Sequence, residues 1–116
     1  MSLIKTYYQK VYGYCRVSTK GQAKDGNSIE AQEAAVREAG AEEIYADAFT
    51  GTKKHRPQLD KLLKVIQNGD KVVVTKLDRI ARSATQGIAL IDMMLDKGVT
   101  VHILNMGIMD NTPSGR

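Results

Sequence analysis

Cysteine is almost missing from this 116-residue sequence, in which Cys15 stands alone. A single thiol excludes an internal disulfide and a cysteine-based zinc site, and it suits a reducing compartment, so a cytoplasmic location is expected. Aromatic side chains are scarce as well: there is no Trp, one Phe (Phe49) and five Tyr, so the core must be built mainly from aliphatic residues. No stretch of about 18 apolar residues occurs, which excludes a membrane-spanning helix, and no basic segment followed by an apolar one marks the start for secretion. The two histidines, His55 and His102, are not spaced as metal ligands and no acidic residues accompany them, so no metal is expected. Neither a Walker loop nor a G-x-G-x-x-G turn is present, so no nucleotide cofactor is expected either. Charge of one sign does not dominate. Seventeen Lys and Arg face thirteen Asp and Glu, a net +4 that permits a nucleic-acid partner without establishing one.

The length fits one domain. Residues 1–9 carry no clear pattern and are set apart as an N-terminal extension, in part an expression tag. Residues 10–17 (KVYGYCRV) are rich in β-branched and aromatic types and read as a strand. The polar, Gly-containing stretch 18–27 reads as a loop. Asn27 or Ser28 then caps a helix near 28–39, which Gly40 ends. A short strand is expected at 42–47, and a basic loop at 48–56. Pro57 suits the first turn of a helix in which Leu59, Leu62, Leu63 and Ile66 form one apolar stripe. Lys71 to Thr75 is the strongest strand signal, and its unbroken apolar run suggests burial on both faces. A long helix is expected from about 78 to 97, carrying Ile80, Ala84, Ile88, Ile91 and Leu95, and a fourth strand at 99–104. The tail from Asn105 to Arg116 offers no closing element. Strands separated by helical crossovers imply an α/β fold, a three-layer sandwich around a mostly parallel sheet of four to five strands. Ligands of such folds bind at the carboxyl ends of the strands, which selects the loops that begin near Ser18, Asp47 and Lys76.

Three clusters fall at those loops. In the first strand Tyr12, Tyr14 and Arg16 share one face, and Ser18 continues the phase, so a guanidinium and a hydroxyl lie side by side. An unpaired charge buried there is costly, so Arg16 must meet either a local acid or a ligand. Lys76-Leu77-Asp78-Arg79-Ile80-Ala81-Arg82 lies where the strongest strand runs into the longest expected helix. Arginines in a first helical turn oppose the helix dipole unless an anion or a carboxylate offsets them. Thr52-Lys53-Lys54-His55-Arg56 is either a solvated basic loop or a phosphate contact. Cys15, on the opposite strand phase from Ser18, reads as a small buried apolar residue. Met93, Met94, Met106 and Met109 read either as core filling or as a surface for further polypeptide. Arginine stays protonated and cannot serve as a general base, but its fork matches phosphate oxygens and the charge that builds in phosphoryl transfer. A serine among arginines therefore suggests covalent chemistry on a phosphate ester.

These residues closely resemble the catalytic domain of the serine recombinases. YGYCRVSTKGQ carries the Tyr-x-Arg-x-Ser pattern of that family through Tyr14, Arg16 and Ser18. KLDRIARS carries Asp-Arg-x-x-Arg through Asp78, Arg79 and Arg82. YADAFTGTKKHRPQLDKLL resembles the middle segment of the family, with Asp47 and Arg56, and SIEAQ resembles the segment that supplies a site glutamine, Gln32. The match runs from about residue 11 to 116, so residues 10–116 are expected to form the catalytic domain. What the resemblance implies is site-specific DNA cleavage and rejoining with no metal and no cofactor. Ser18 would attack the scissile phosphodiester and form a 5′-phosphoserine link. Arg16, Arg79, Arg82 and Arg56 would bind the phosphate, Asp78 and Asp47 would orient arginines, and Gln32 would hydrogen-bond in the site. The implied partners are DNA and further copies of the protein, as dimers on each site and a tetramer in the synapse. The long 18–28 loop and the GIMDNTPSGR ending resemble the large integrase or transposon type. The family's dimerisation helix and DNA-binding region are not in this sequence, so the isolated chain is expected to be inactive on unmodified DNA. A different reading of the same residues is a non-catalytic phosphate- or DNA-binding module on this fold.

Overall fold

In the computed structural model, residues 9–18, 28–49, 57–80 and 84–109 are described. The elements run β1 (Val11–Ser18), α1 (Ile29–Glu38), β2 (Glu43–Phe49), α2 (Pro57–Val65), β3 (Lys71–Val74), a 3-10 turn (Leu77–Arg79), α3 (Ala84–Asp96), β4 (Thr100–Ile103) and β5 (Gly107–Met109). They form one five-stranded sheet in the order β2-β1-β3-β4-β5. The first four strands are parallel, and β5 turns back antiparallel to β4. Among the described residues no helix is long and apolar enough to cross a membrane.

Strand alternation sorts the side chains into two cores. Tyr12, Tyr14, Val72, Val74, Val101 and Ile103 face α2 and α3 and pack with Leu59, Leu62, Ile66, Ile91, Met94 and Leu95. Cys15 and Val73 face the other way and pack with Val36 of α1 and Ala41. The sheet thus has helices on both faces, as a parallel sheet requires. Gly13 lets α1 approach closely: a Cβ there would lie 2.7 Å from Val36 Cγ2. Ser28 caps α1, its hydroxyl accepting from the Ala31 amide at 3.2 Å. Gly40, at φ 111°, closes the helix and lets the Ala41 amide donate back to Val36.

Three expectations are corrected. The helix expected from 78 does not begin there. The Arg79 and Ile80 amides donate three residues back, to Lys76 and Leu77, in a 3-10 turn, and the described part of α3 is Ala84–Asp96. The Ile80 side chain, 1% exposed, is the anchor that holds this turn against the core. Because α3 is separate from the turn, its buried face is set by Gly87, Ile91, Met94 and Leu95, while Ile88 points outward at 58% exposure. The tail does contain a closing element. The Met106 amide donates to the Ile103 carbonyl at 2.8 Å, and Gly107, at φ 128°, starts β5. Finally, β2 runs to Phe49, two residues beyond the expected end, because it stays in register with β1 as far as Ser18. Of the methionines, Met94 fills the core, whereas Met93 and Met106 are exposed.

Candidate active site

The chain goes from β1 to β2 on one side and then crosses back to β3 on the other, so the direction of winding reverses between β1 and β3. Open α/β sheets present their ligand crevice at that reversal, outside the carboxyl ends of the strands. Arg16 and Ser18 end β1 there, and the turn that carries Asp78 and Arg79 leaves β3 beside them. Three of the expected site positions lie wholly or partly outside the described residues: Arg56, Arg82 and the side chain of Ser18. The Ser18 backbone is the last residue of β1, in register with Phe49.

Arg16 joins the two motifs. Its Nη2 donates to the main-chain carbonyl of Asp78 at 2.7 Å, across 62 residues of sequence. A guanidinium carries five donors in a rigid fork, so this bond both uses a donor and sets the plane of the others. Since the carbonyl is the acceptor, the carboxylate of Asp78 is left for other work. It lies 3.7 Å from Arg79 Nη1, with the Asp78 side chain 68% and the Arg79 side chain 15% exposed. A mainly buried guanidinium beside an exposed carboxylate is an arrangement in which the arginine is fixed and the acid can be displaced by an incoming anion.

Asp47 stands beside Arg16 in the register of β1 with β2, and it is buried, only 5% exposed. It accepts from the Tyr14 hydroxyl at 2.7 Å and from the first amides of α2, Gln58 at 3.0 Å and Leu59 at 3.1 Å. The expected role of orienting an arginine is therefore not what its described partners give. Asp47 caps α2 from a neighbouring strand and ties it to β1, which fixes the residue that follows Arg56. Tyr14, which stands in the Tyr-x-Arg-x-Ser pattern but is not among the expected site residues, is thereby bonded to one of them.

Gln32 is 2% exposed and bonds the backbone of Arg16. Its Oε1 accepts from the Arg16 amide at 3.1 Å, and its Nε2 donates to the Arg16 carbonyl at 3.0 Å. Cys15, next in sequence but on the far side of the sheet, is fully buried, and burial pushes its thiol up to about 12. It stays protonated at neutral pH, so it is not a nucleophile.

The chain matches the family described as Resolvase, N terminal domain, over residues 11–116. It is similar to the DNA-invertase of Escherichia phage P1, 38% identical over 104 residues that make up 90% of this chain and 53% of that protein. The serine recombinase gin of Escherichia phage Mu is 39% identical over 104 residues, 90% of this chain and 51% of its own length. The chain thus spans about half the length of these curated relatives. Among crystal structures, the N-terminal catalytic domain of TP901-1 integrase superposes with a TM-score of 0.69 at 28% identity, covering 92% of this chain and 85% of that one. A resolvase family site-specific recombinase from Streptococcus pneumoniae gives 0.67 at 28% identity, over 86% of this chain and 74% of that one.

Proposed function

Since the chain belongs to the resolvase N-terminal domain family of the serine recombinases, we propose that it is the catalytic domain of a site-specific DNA recombinase with Ser18 as the nucleophile. The observation that supports this reading is the bond from Arg16 to the Asp78 carbonyl, which brings Arg16, near the end of β1, against the turn that carries Asp78 and Arg79. The Ser18 oxygen attacks the scissile phosphorus and loses its proton. A new O–P bond forms, the bond from phosphorus to the 3′-oxygen breaks, and that oxygen leaves as a hydroxyl after taking up a proton. The 5′-phosphoserine link conserves the bond energy, so the reverse attack by a 3′-hydroxyl of another strand rejoins the DNA without a cofactor. Charge that builds on the non-bridging oxygens is stabilised by Arg16 and Arg79, with Arg82 and Arg56 completing the set. In this reading Asp78 holds Arg79, and Asp47 holds the start of α2 behind Arg56.

The reading extends to dimers on each DNA site, a tetramer in the synapse and a cytoplasmic setting, where the DNA is. It also leaves the isolated domain inactive on unbroken DNA. Similarity to the integrase catalytic domain, together with the long 19–27 segment, supports the large type. The test is a DNA site nicked next to the scissile phosphate, incubated with the intact recombinase. The broken strand diffuses away, so a protein–DNA adduct that survives denaturation accumulates. Ser18→Ala is expected to abolish the adduct while salt-sensitive DNA binding persists. An adduct that survives this change overturns the assignment of Ser18. A wild-type protein that binds DNA but never forms the adduct favours the non-catalytic module instead.

A further inference from the structure

Strand β1 outruns its partner on one side. Its register with β3 stops at Gly13 opposite Val73, and β3 ends at Val74, yet β1 continues to Ser18. The Lys71 amide donates to the Lys10 carbonyl, and the Glu42 amide to the Val11 carbonyl. Main-chain groups alternate sides along a strand, so those of Arg16, in phase with Lys10, point toward the β3 side, where the ladder has ended. Buried backbone groups must find partners. For Arg16 both are taken by one side chain, the Gln32 carboxamide, which accepts from the amide at 3.1 Å and donates to the carbonyl at 3.0 Å. A carboxamide has the same donor and acceptor pair as a peptide group, so Gln32 acts here as a one-residue strand. It fixes the peptide planes on both sides of the Arg16 Cα, and hence the direction of the Arg16 side chain toward Asp78. The second of those planes is also the one from which the chain reaches Ser18.

We infer that Gln32 is a positioning residue for strand cleavage, one that takes the place of β3 along the end of β1, which β2 pairs on its other side, and so aims Arg16 and Ser18 at the phosphate without touching it. This rests on the reading of Ser18 as nucleophile. It differs from the role that the family resemblance implies, a hydrogen bond within the site. Gln32 can play this part because α1 is tightly placed: Ser28 caps its start, and Val36, one turn beyond Gln32, is fully buried against Gly13 and Cys15.

The experiment uses the intact recombinase and the nicked DNA site, and measures the single-turnover rate of adduct formation and the DNA dissociation constant as functions of pH. Gln32→Leu removes both bonds. The adduct rate is expected to fall roughly 10- to 100-fold, the scale of small misplacements of reacting groups, with the dissociation constant unchanged within about threefold. Gln32→Glu is the discriminating variant. Its carboxylate accepts from the Arg16 amide but repels the carbonyl, whereas the protonated acid both accepts and donates. Burial and the carbonyl raise the pKa of this acid, so its rate deficit against wild type should close as the pH is lowered from 8 towards 5.5. The leucine deficit should stay constant. Taking ratios to wild type removes the contributions of Arg16, Asp78 and Arg79, which are common to all three proteins. A folded leucine variant that cleaves at the wild-type rate overturns the inference, as does a glutamate variant whose ratio does not move with pH. If the leucine variant does not fold, the glutamate profile decides alone. Failure of the wild type to form any adduct would instead sink the underlying assignment of Ser18.

Discussion

Asp47 accepts three hydrogen bonds while almost wholly buried, and that sets what its loss costs. Asp47→Ala leaves the Tyr14 hydroxyl and two α2 amides facing an apolar space. The expected destabilisation is about 2–4 kcal/mol, from a lost cap and unsatisfied buried donors. Asp47→Asn keeps one acceptor oxygen and should cost about half as much, and Tyr14→Phe about 1 kcal/mol. Urea denaturation of the three variants and of the Tyr14→Phe/Asp47→Asn pair measures this. Strict additivity in the double variant would mean that the 2.7 Å contact carries no coupling energy. The sequence marks Asp47 as a site position, through its place near a strand end and its resemblance to a family segment. What it bonds to was not legible. Its partners lie 11, 12 and 33 residues away and leave no local pattern. Gln32 is a similar case: its position was readable, but its target, a main-chain amide and carbonyl, has no side-chain identity to read.

Among the elements, those with strong local signals agree with the sequence. The helix at 28–39 has its cap and its terminal glycine, the helix from Pro57 its stripe, and the run Val72–Val74 is buried on both faces as expected. Where the reading failed, the signals are degenerate. Ile80 and Ala84 are four residues apart, the spacing of one helical stripe, although Ile80 closes the 3-10 turn and Ala84 belongs to α3. Three-residue β5 is too short for alternation to register. Strand β4 carries a further consequence. His102 sits between Val73 and Ile108 in the sheet, and among the described residues its Nδ1 has no hydrogen-bond partner. Burial, and then the nearby Lys71, hold its pKa below the ordinary value of 6.5. The folded chain thus resists a proton that the unfolded chain accepts. The contribution of His102 to stability is full above about pH 6.5 and declines as the pH falls below it, until the folded ring is protonated too. Thermal melts of His102→Gln between pH 7.5 and 5 should lose part of the acid-side decline seen in wild type. Identical slopes would mean that His102 plays no part in it.

On the scale of the whole molecule, the α/β order and the mostly parallel sheet follow from the alternation of strands and helices, and the crevice follows from the reversal between β1 and β3. The net charge of +4 says little, because it is a sum. The acids Glu42 and Glu43 lie at the start of β2, beside Val11 and Tyr12 at the far end of β1 from Arg16. The buried thiol gives this architecture a built-in clock. Cys15 lies in a central strand beneath α1, fully covered, and its pKa near 12 keeps it unreactive. An alkylating reagent can reach it only when α1 lifts or the whole sheet opens, and either event also withdraws Gln32 from Arg16. Alkylation of the native protein should therefore be slower than that of the urea-unfolded chain by several orders of magnitude, approaching the unfolding equilibrium constant. If labelling and global unfolding share one urea dependence, the site is lost only with the fold. A shallower dependence for labelling would reveal a separate opening of α1, with Gln32 withdrawn from Arg16 while the rest of the sheet stays intact.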